Sequence, residues 1–444
     1  MSEEIKLSDH FTYGRILRFT FPSIIMMIVI SIYGVVDGFF VSNFVGKTPF
    51  AAVNFIMPFL MVPMAVGFMI GGGGSALISC TLGEQKPEKA NRIFSLLVYF
   101  SITLGIIIAV AFQLLLRPVA IAMGASGQLL EDCVLYGRII IIGIPFNILQ
   151  MEFQTFFVTA EKPRLGLWAT IGSGVANIVL DLLLVAIFPL GLVGAAIATT
   201  MSQVVGGVVP LVYFSRKNTS LLALGKTNYD GKALLKACTN GSSELLSNVS
   251  MSIVNMLYNV QLLNIAGENG VAAYGAIMYV NLLFLSAFIG HIIGTSPVIG
   301  YHYGAQNHKE LRSILQKSLV IIGGFSVAMV ALSIGFARPL SLIFVGYDQQ
   351  LLDITIRGFI IFSASFLFVG YAMFFSSFFT ALGDGLTSAI ISFMRTLVFQ
   401  IAAVLILPLI WGIDGIWWSI SVAEAAAVAV GLLFLFTKQK KYHY

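Results

Sequence analysis

Long apolar runs separated by short polar breaks give this chain its pattern. Residues 48–83 contain no charge at all, and 93–116, 182–215 and 358–383 are further charge-free windows. A helix needs roughly 20 apolar residues to cross a bilayer, and each window is long enough. Polar and apolar residues do not alternate within the runs, as they would in the strands of a membrane barrel. The runs are broken by Gly/Pro clusters such as Pro189-Leu190-Gly191 and by polar loops such as Gly83-Glu84-Gln85-Lys86-Pro87. These breaks predict twelve helices, at about 17–43, 51–80, 94–117, 136–160, 165–189 and 191–214, then at about 238–265, 271–301, 314–336, 356–382, 386–410 and 412–437. The expected fold is all-α and integral to the membrane.

The two sets of six resemble each other. A shift of 221 positions pairs Ala51-Ala52 with Ala272-Ala273, Ile56-Met57 with Ile277-Met278, and Gly83 and Gln85 with Gly304 and Gln306. The same shift pairs Arg117-Pro118 with Arg338-Pro339, Asp132 with Asp353, Thr159-Ala160 with Thr380-Ala381, and Gly191 and Gly194 with Gly412 and Gly415. Six helices per half start both halves on one side, which makes a parallel repeat about an axis along the membrane normal. Residues 1–215 are read as an N-lobe (helices 1–6), 216–236 as a basic linker, and 237–444 as a C-lobe (helices 7–12). A substrate cavity is expected between lobes that rock against each other.

Composition agrees with the pattern. Hydrophobic residues make up 58% and charged residues 10%, whereas a soluble domain carries roughly a quarter charged residues. The net charge of +5 matters less than its distribution. Of the 25 Lys and Arg residues, only Lys47, Arg117, Arg138, Arg338 and Arg357 fall on the side away from the termini. The positive-inside rule therefore predicts both termini in the cytoplasm. No basic block is interleaved with aromatics, so nucleic acid is not an expected partner. Cys80, Cys133 and Cys238 are odd in number and far apart, fitting neither a disulfide framework nor a metal site. The first apolar run, at about 17–44, is too long for a signal-peptide core and is kept as helix 1.

Five acids fall within predicted helices: Asp37, Glu152, Asp181, Glu244 and Glu424. A charge at the bilayer centre costs at least roughly 2.5–3.5 kcal/mol, so each needs a partner, water or a proton. Asp37 lies about 9 Å from the outer end of helix 1, while Asp181 in helix 5 and Thr199 in helix 6 each lie about 12 Å deep. Asn177 shares a helix face with Asp181, one turn deeper. No Lys or Arg of the N-lobe lies at that depth. Two carboxylates, an amide and a hydroxyl form a hard-oxygen set that suits a small cation such as Na⁺, or a proton held between neighbouring acids; structural packing is the competing reading. Glu244, two turns into helix 7, has Arg395 of helix 11 as a partner, either as a structural ion pair or as a cavity-facing site for a substrate cation. Glu424 aligns with Gln203, so a polar interior position recurs in both halves. Pro22 removes a backbone hydrogen bond from helix 1, which makes a hinge or a static kink. His291 is expected to be a hydrogen-bonded interior histidine, and Glu152 has no assigned role. Gly71–Gly74 lies inside an apolar run without the following Lys-Ser/Thr of a phosphate loop, and reads as close helix packing.

At these residues the chain resembles the multidrug and toxic compound extrusion (MATE) family. The resemblance rests on Pro22, Val36-Asp37-Gly38 and Gly46, and on Leu82-Gly83-Glu84-Gln85-Lys86-Pro87. It continues through Asn177-Ile178-Val179-Leu180-Asp181, Gly194-Ala195-Ala196-Ile197-Ala198-Thr199, Ser202-Gln203 and Asn240-Gly241-Ser242-Ser243-Glu244. It implies export of small organic, often cationic compounds, driven by inward flow of Na⁺ or H⁺ with no other cofactor. It also implies a monomer in a bacterial cytoplasmic (inner) membrane. Asp37, Asn177, Asp181 and Thr199 match a cation site, Pro22 matches a bend in helix 1, and Glu244 matches an acid some members use with another in helix 10. Helix 10 here has no carboxylate. A lipid-linked oligosaccharide flippase of the same superfamily is the nearest alternative; such proteins usually have fourteen spans and a cationic lumen. A major-facilitator transporter would carry a basic-aspartate loop signature that 83–92 lacks. A membrane enzyme would need clustered Asp or His motifs, which the five histidines do not form.

Overall fold

The computed structural model describes residues 5–346 and 348–444, with the backbone alone at Val35, Gly38, Phe39, Ser42, Asn43, Lys47 and Thr48. Gly38 and Lys47, named above, lie outside the described side chains. Without water, a backbone in lipid must satisfy its polar groups internally, and among the described residues every regular element is a helix. Helix 1 is Tyr13–Phe40, helix 2 Lys47–Gly83, and helix 3 Pro87–Ala122. Helix 4 is a pair, Gly127–Ile142 and Ile144–Thr159; helix 5 is Pro163–Asp181 with a wider π-turn at Leu182–Ile187; helix 6 is Gly191–Ser215. Helices 7 and 8 run as Ser242–Gly304 and turn at Gly267, where φ is +63°. The turn is a hairpin, because Tyr258 and Tyr274 stack with centroids 5.4 Å apart. Helix 9 is His308–Gly335, followed by Ala337–Val345. Helix 10 is the pair Gln349–Ser363 and Phe366–Ala381; helix 11 is Gly385–Phe393, a π-turn Met394–Phe399 and Gln400–Trp411; helix 12 is Ile413–Tyr442. Nine of these among the described residues are long and apolar enough to cross a membrane, and the two bent pairs bring the number to eleven, with 242–304 counted once.

Several boundaries differ from the sequence reading. Helix 4 begins at Gly127, and bends by 56° where Pro145, which has no N–H to donate, opens its second limb. Helix 10 bends by 48°. The connecting stretch is partly helical: Gly231–Asn240 is capped by Asp230, whose carboxylate accepts from the Lys232 and Ala233 amides at 3.1 Å. The chain breaks again at Gly241, so Glu244 sits in the first turn of helix 7 and not two turns inside it. A carboxylate there is favoured by the positive end of the helix dipole.

Conformation follows the same offset as the residues. Positive φ recurs at Gly46 and Gly267 (114° and 63°), at Gly191 and Gly412 (both 58°), and at Gln85 and Gln306 (61° and 56°). The two glutamines are notable because a left-handed backbone is uncommon away from glycine. The bend in helix 4 at Gly143 falls one offset before the bend in helix 10 at Ala364.

Both described chain ends lie at one end of the bundle. The Leu7 amide donates to Glu161 at 2.5 Å, the Phe11 amide to Glu310 at 2.8 Å, and Tyr442 meets Tyr303 edge-on. At this termini end the halves meet in a tight seam. A Cβ on Gly83 would stand 2.0 Å from the Tyr301 carbonyl oxygen, and one on Gly304 would stand 2.0 Å from that of Cys80. Cys80 and Tyr301 are themselves one offset apart, so helices 2 and 8 cross backbone to backbone in a two-fold arrangement.

Helix 1 links the halves. Leu7, Phe11, Ile16, Phe19 and Met27 belong to the same apolar core as the second half's helices; a second core consists of first-half residues, and a third joins first-half residues to Leu222, Ala233, Leu234 and Ala237 of the connecting stretch and its helix. Thr20 and Ile24 seat against Gly294 and Gly290 of helix 8, and Ser31 and Ser286 share a hydroxyl hydrogen bond of 2.6 Å. In a chain with its cysteines replaced by serine, Ser31→Cys with Ser286→Cys should therefore form a disulfide on oxidation. With a protease site placed in 216–230, the two halves should stay together on a non-reducing gel after cleavage. Gly83→Leu, which wedges the seam, should lower that yield; an unchanged yield would mean the seam does not hold helix 1 against helix 8.

Candidate functional site

The first-half polar set comes together. Helix 1 packs along helix 5, and Gly174 lets the Tyr33 ring approach closely, 2.9 Å from where a Cβ would stand. Helix 6 lies equally close to the π-turn of helix 5, with Gly194 against the Leu184 carbonyl. Thr199 Oγ1 lies 3.2 Å from Asp37 Oδ1 and 3.1 Å from its own-helix Ala195 carbonyl, so its single proton can go to either. Asn177 and Asp181 face Asp37 from helix 5, and both are buried. Among the described residues, neither oxygen of Asp181 has a hydrogen-bond donor and no basic side chain acts on either acid.

Three residues not singled out from sequence complete the surroundings. Tyr136, fully buried, places its hydroxyl beside Thr199 and the two acids. Tyr33 stands between Asp37 and Gln150, and Gln150 Nε2 donates to Ser173 Oγ at 3.1 Å. Aromatic side chains with one polar atom blend into an apolar run, so only their depth beside Asp37 and Asp181 marks them. Both acids lie at unwound helix: Asp181 immediately precedes Leu182–Ile187, and Asp37 precedes another π-turn at Val41–Val45. Such turns often sit at functional positions. They give the sequence no visible signal.

Two unit charges about 4 Å apart repel by roughly 4 kcal/mol even at an effective dielectric near 20. Two facing carboxylates with no basic partner among the described residues are thus an arrangement that a proton or a cation would stabilise. Two carboxylates, an amide and a hydroxyl suit a hard, weakly charged ion. Among the described residues no three His, Cys, Asp or Glu side chains gather as a metal group.

The second-half set is arranged differently from the sequence expectation. Arg395, in the π-turn of helix 11, donates from Nε to Glu424 of helix 12 at 2.8 Å. Its ion-pair partner is therefore Glu424 and not Glu244, because the broken start of helix 7 leaves Glu244 nearer the termini end. Glu244 still feels the Arg395 charge and lies against Gly72 of helix 2. The pair borders a cavity of about 90 Å³ with Tyr258, Tyr274, Asn255 and Gln400. Tyr258, the repeat mate of Asp37, donates to Gln400 at 2.8 Å, and Tyr274 to Asn255 at 2.9 Å. A neutral phenol–amide pair thus replaces the acid. His291 is fully buried against Phe325, but its ring nitrogens have no partner among the described residues, unlike the hydrogen-bonded histidine expected. Glu152 accepts from Ser101 through one oxygen and leaves the other without a donor. Pro22 is buried within a helix 1 that continues unbroken from Tyr13 to Phe40.

A helical bundle of membrane-crossing length, with ionisable groups buried between its helices, is a multi-pass membrane protein of the kind that moves ions or solutes. The MatE family profile matches residues 22–183 and again 245–406, and the chain belongs to that family. Its members are transporters that bind small molecules in a membrane. The chain is 26% identical over 431 residues to the multidrug export protein MepA of Staphylococcus haemolyticus, covering 97% of this chain and 94% of that one. Its fold matches an outward-facing multidrug resistance MATE family transporter with a TM-score of 0.93 at 24% identity, over 100% of this chain and 99% of that one. A MATE crystallised with MaL6 gives a TM-score of 0.93 at 24% identity, with 100% of both chains covered.

The Arg395–Glu424 geometry has a direct consequence for stability. Glu424→Gln leaves a buried guanidinium without its carboxylate, which should cost about 3–5 kcal/mol, whereas Glu244→Gln removes no ion pair. Thermal unfolding in one detergent should show a clear drop for the first variant and little change for the second. The reverse order would assign the pairing to Glu244.

Proposed function

We propose that this chain is a secondary active exporter of small organic, often cationic and amphipathic compounds, exchanging them for Na⁺ or H⁺ by alternating access. The observation that carries this reading is the facing pair Asp37 and Asp181, with Thr199 bonded to Asp37, Asn177 beside it, and no basic partner among the described residues. The site must acquire a cation or proton, and helix 1, which carries Asp37, also packs on the second half through Ser31 and Ser286. Charge arriving between helices 1, 5 and 6 thereby bears on the packing between the lobes. Relatives named as multidrug export proteins support the substrate class.

The same reading takes 242–304 as two spans, giving twelve, with two six-helix lobes at 1–215 and 237–444. Both termini lie in the cytoplasm of a bacterial inner membrane, and the chain works as a monomer without catalytic chemistry or a cofactor. The closed seam at the termini end supports an outward-facing state. The flippase alternative needs free interior cations for a pyrophosphate, and Arg395 is already neutralised by Glu424. The second-half cavity, bordered by Tyr258, Tyr274 and that ion pair, is the candidate contact for substrate, with Glu244 at the interface between lobes. Pro22 is the candidate hinge: its ring leaves the Arg18 carbonyl without a helix partner.

Reconstituted in liposomes, the protein should export a cationic dye when an inward Na⁺ gradient or an inward H⁺ gradient is imposed, and the ion that drives it identifies the coupling. Asp37→Asn should abolish driven efflux at normal membrane expression, since it removes one charge and keeps the shape. Full efflux by that variant would remove the carboxylate pair from the mechanism.

A further inference from the structure

A cavity of about 360 Å³ opens at the termini end, between helix 1 and the start of helix 5. Arg18, Phe19 and Pro22 line one side, Arg164 and Leu165 the other, with Tyr213 of helix 6 behind. Both arginines are exposed, and neither forms an ion pair among the described residues. Lys162 also lines the cavity but has a partner of its own, so the charge of the site rests on the two arginines. Glu161 is the one acid of the lining among the described residues, and its Oε1 points to the Leu7 amide, from which it accepts a hydrogen bond at 2.5 Å. Two arginines without an ion pair thus stand against one acid among the described residues, while Ile5, Phe19, Pro22 and Leu165 make much of the wall apolar. Beside it, on the outer faces of the same two helices, Phe21 is 60% exposed and Trp168 is 67% exposed.

We propose that this cavity binds the phosphate headgroup of an anionic phospholipid from the leaflet at the termini end, with its acyl chains lying along Phe21 and Trp168. A soluble anion would need the arginines but not the lipid-facing apolar flank, and a neutral lipid would need the flank but not the arginines. Basic pockets between helices at a membrane surface are suited to such headgroups. The site is separate from the Asp37 and Arg395 clusters, and lipid binding there does not depend on the transport reading. Because Pro22 forms part of the wall, the headgroup would rest directly on helix 1.

The test is native mass spectrometry of the purified full chain, titrated with phosphatidylglycerol or with phosphatidylcholine. The wild type should retain phosphatidylglycerol roughly tenfold better, and Arg18→Gln with Arg164→Gln should lose that preference. Arg18→Lys with Arg164→Lys, and the distant exposed Lys309→Gln, should both keep it. If the double glutamine variant does not fold, Arg164→Glu alone must lower phosphatidylglycerol retention. Equal retention of the two lipids by the wild type, or undiminished phosphatidylglycerol on the folded glutamine or glutamate variant, would overturn the proposal. So would displacement of the lipid by millimolar inorganic phosphate, which would make this a soluble-anion site.

Discussion

Two acids face each other inside the first half with nothing basic among the described residues to balance them, and much of the structure can be read from that imbalance. In water the repulsion would be trivial; between packed helices it amounts to several kcal/mol. A protein built only for stability would place an arginine beside them, as the second half does for Glu424. Leaving the pair uncompensated makes the first half's packing depend on what occupies the gap. Asp37 approaches Thr199, Asn177 and Asp181 across three helices, so in the proposed mechanism an added positive charge would draw those helices together. Helix 1 is the element that carries this outward. Its far portion holds Asp37, and its near portion is built into the second half's apolar core.

That core binds helix 1 to the second half, and the seam at the termini end joins the halves separately. Helices 2 and 8 cross with backbone against backbone at Gly83 and Gly304, a contact whose two sides are related by the repeat. Close-packed contacts of this kind are made or broken and do not stretch gradually. Interfaces with discrete arrangements are what alternation between two states requires. The seam is a contact of this close-packed kind, and the Ser31–Ser286 bond joins helix 1 to helix 8 farther along the same helix.

Much of this was legible in the sequence, for identifiable reasons. A polar atom in an apolar run is conspicuous, and depth along a helix is a simple product of residue count and rise. Asp37, Asn177, Asp181 and Thr199 could therefore be grouped without coordinates. Depth says nothing about azimuth or about breaks, however. Glu244 was counted from a helix start that Gly241 interrupts, which carried it too deep and gave it the partner that belongs to Glu424. Tyr33 and Tyr136 were hidden because a phenol in a membrane helix looks apolar until its hydroxyl is located. The bends at Gly143 and Ala364 differ in legibility: Pro145 announces the first, whereas no proline marks the second.

The π-turns were invisible to any pattern, yet they show how the repeat was diverted to function. Helices 5 and 11 are repeat mates, and each unwinds once beside its charged residue. Were the repeat strict, the turn that starts at Leu182 would recur at Ala403, 221 positions on. It starts instead at Met394, nine residues earlier, which at 1.5 Å per residue shifts it by about 13 Å toward the termini end. The first half thus unwinds near Asp181, away from the seam, and the second unwinds at Arg395, closer to it. Symmetry in the seam gives the two halves a common closing contact. The displaced turns set the Asp37–Asp181 cluster and the Arg395–Glu424 ion pair at different depths, so the two halves place their buried charges at different levels of the bundle.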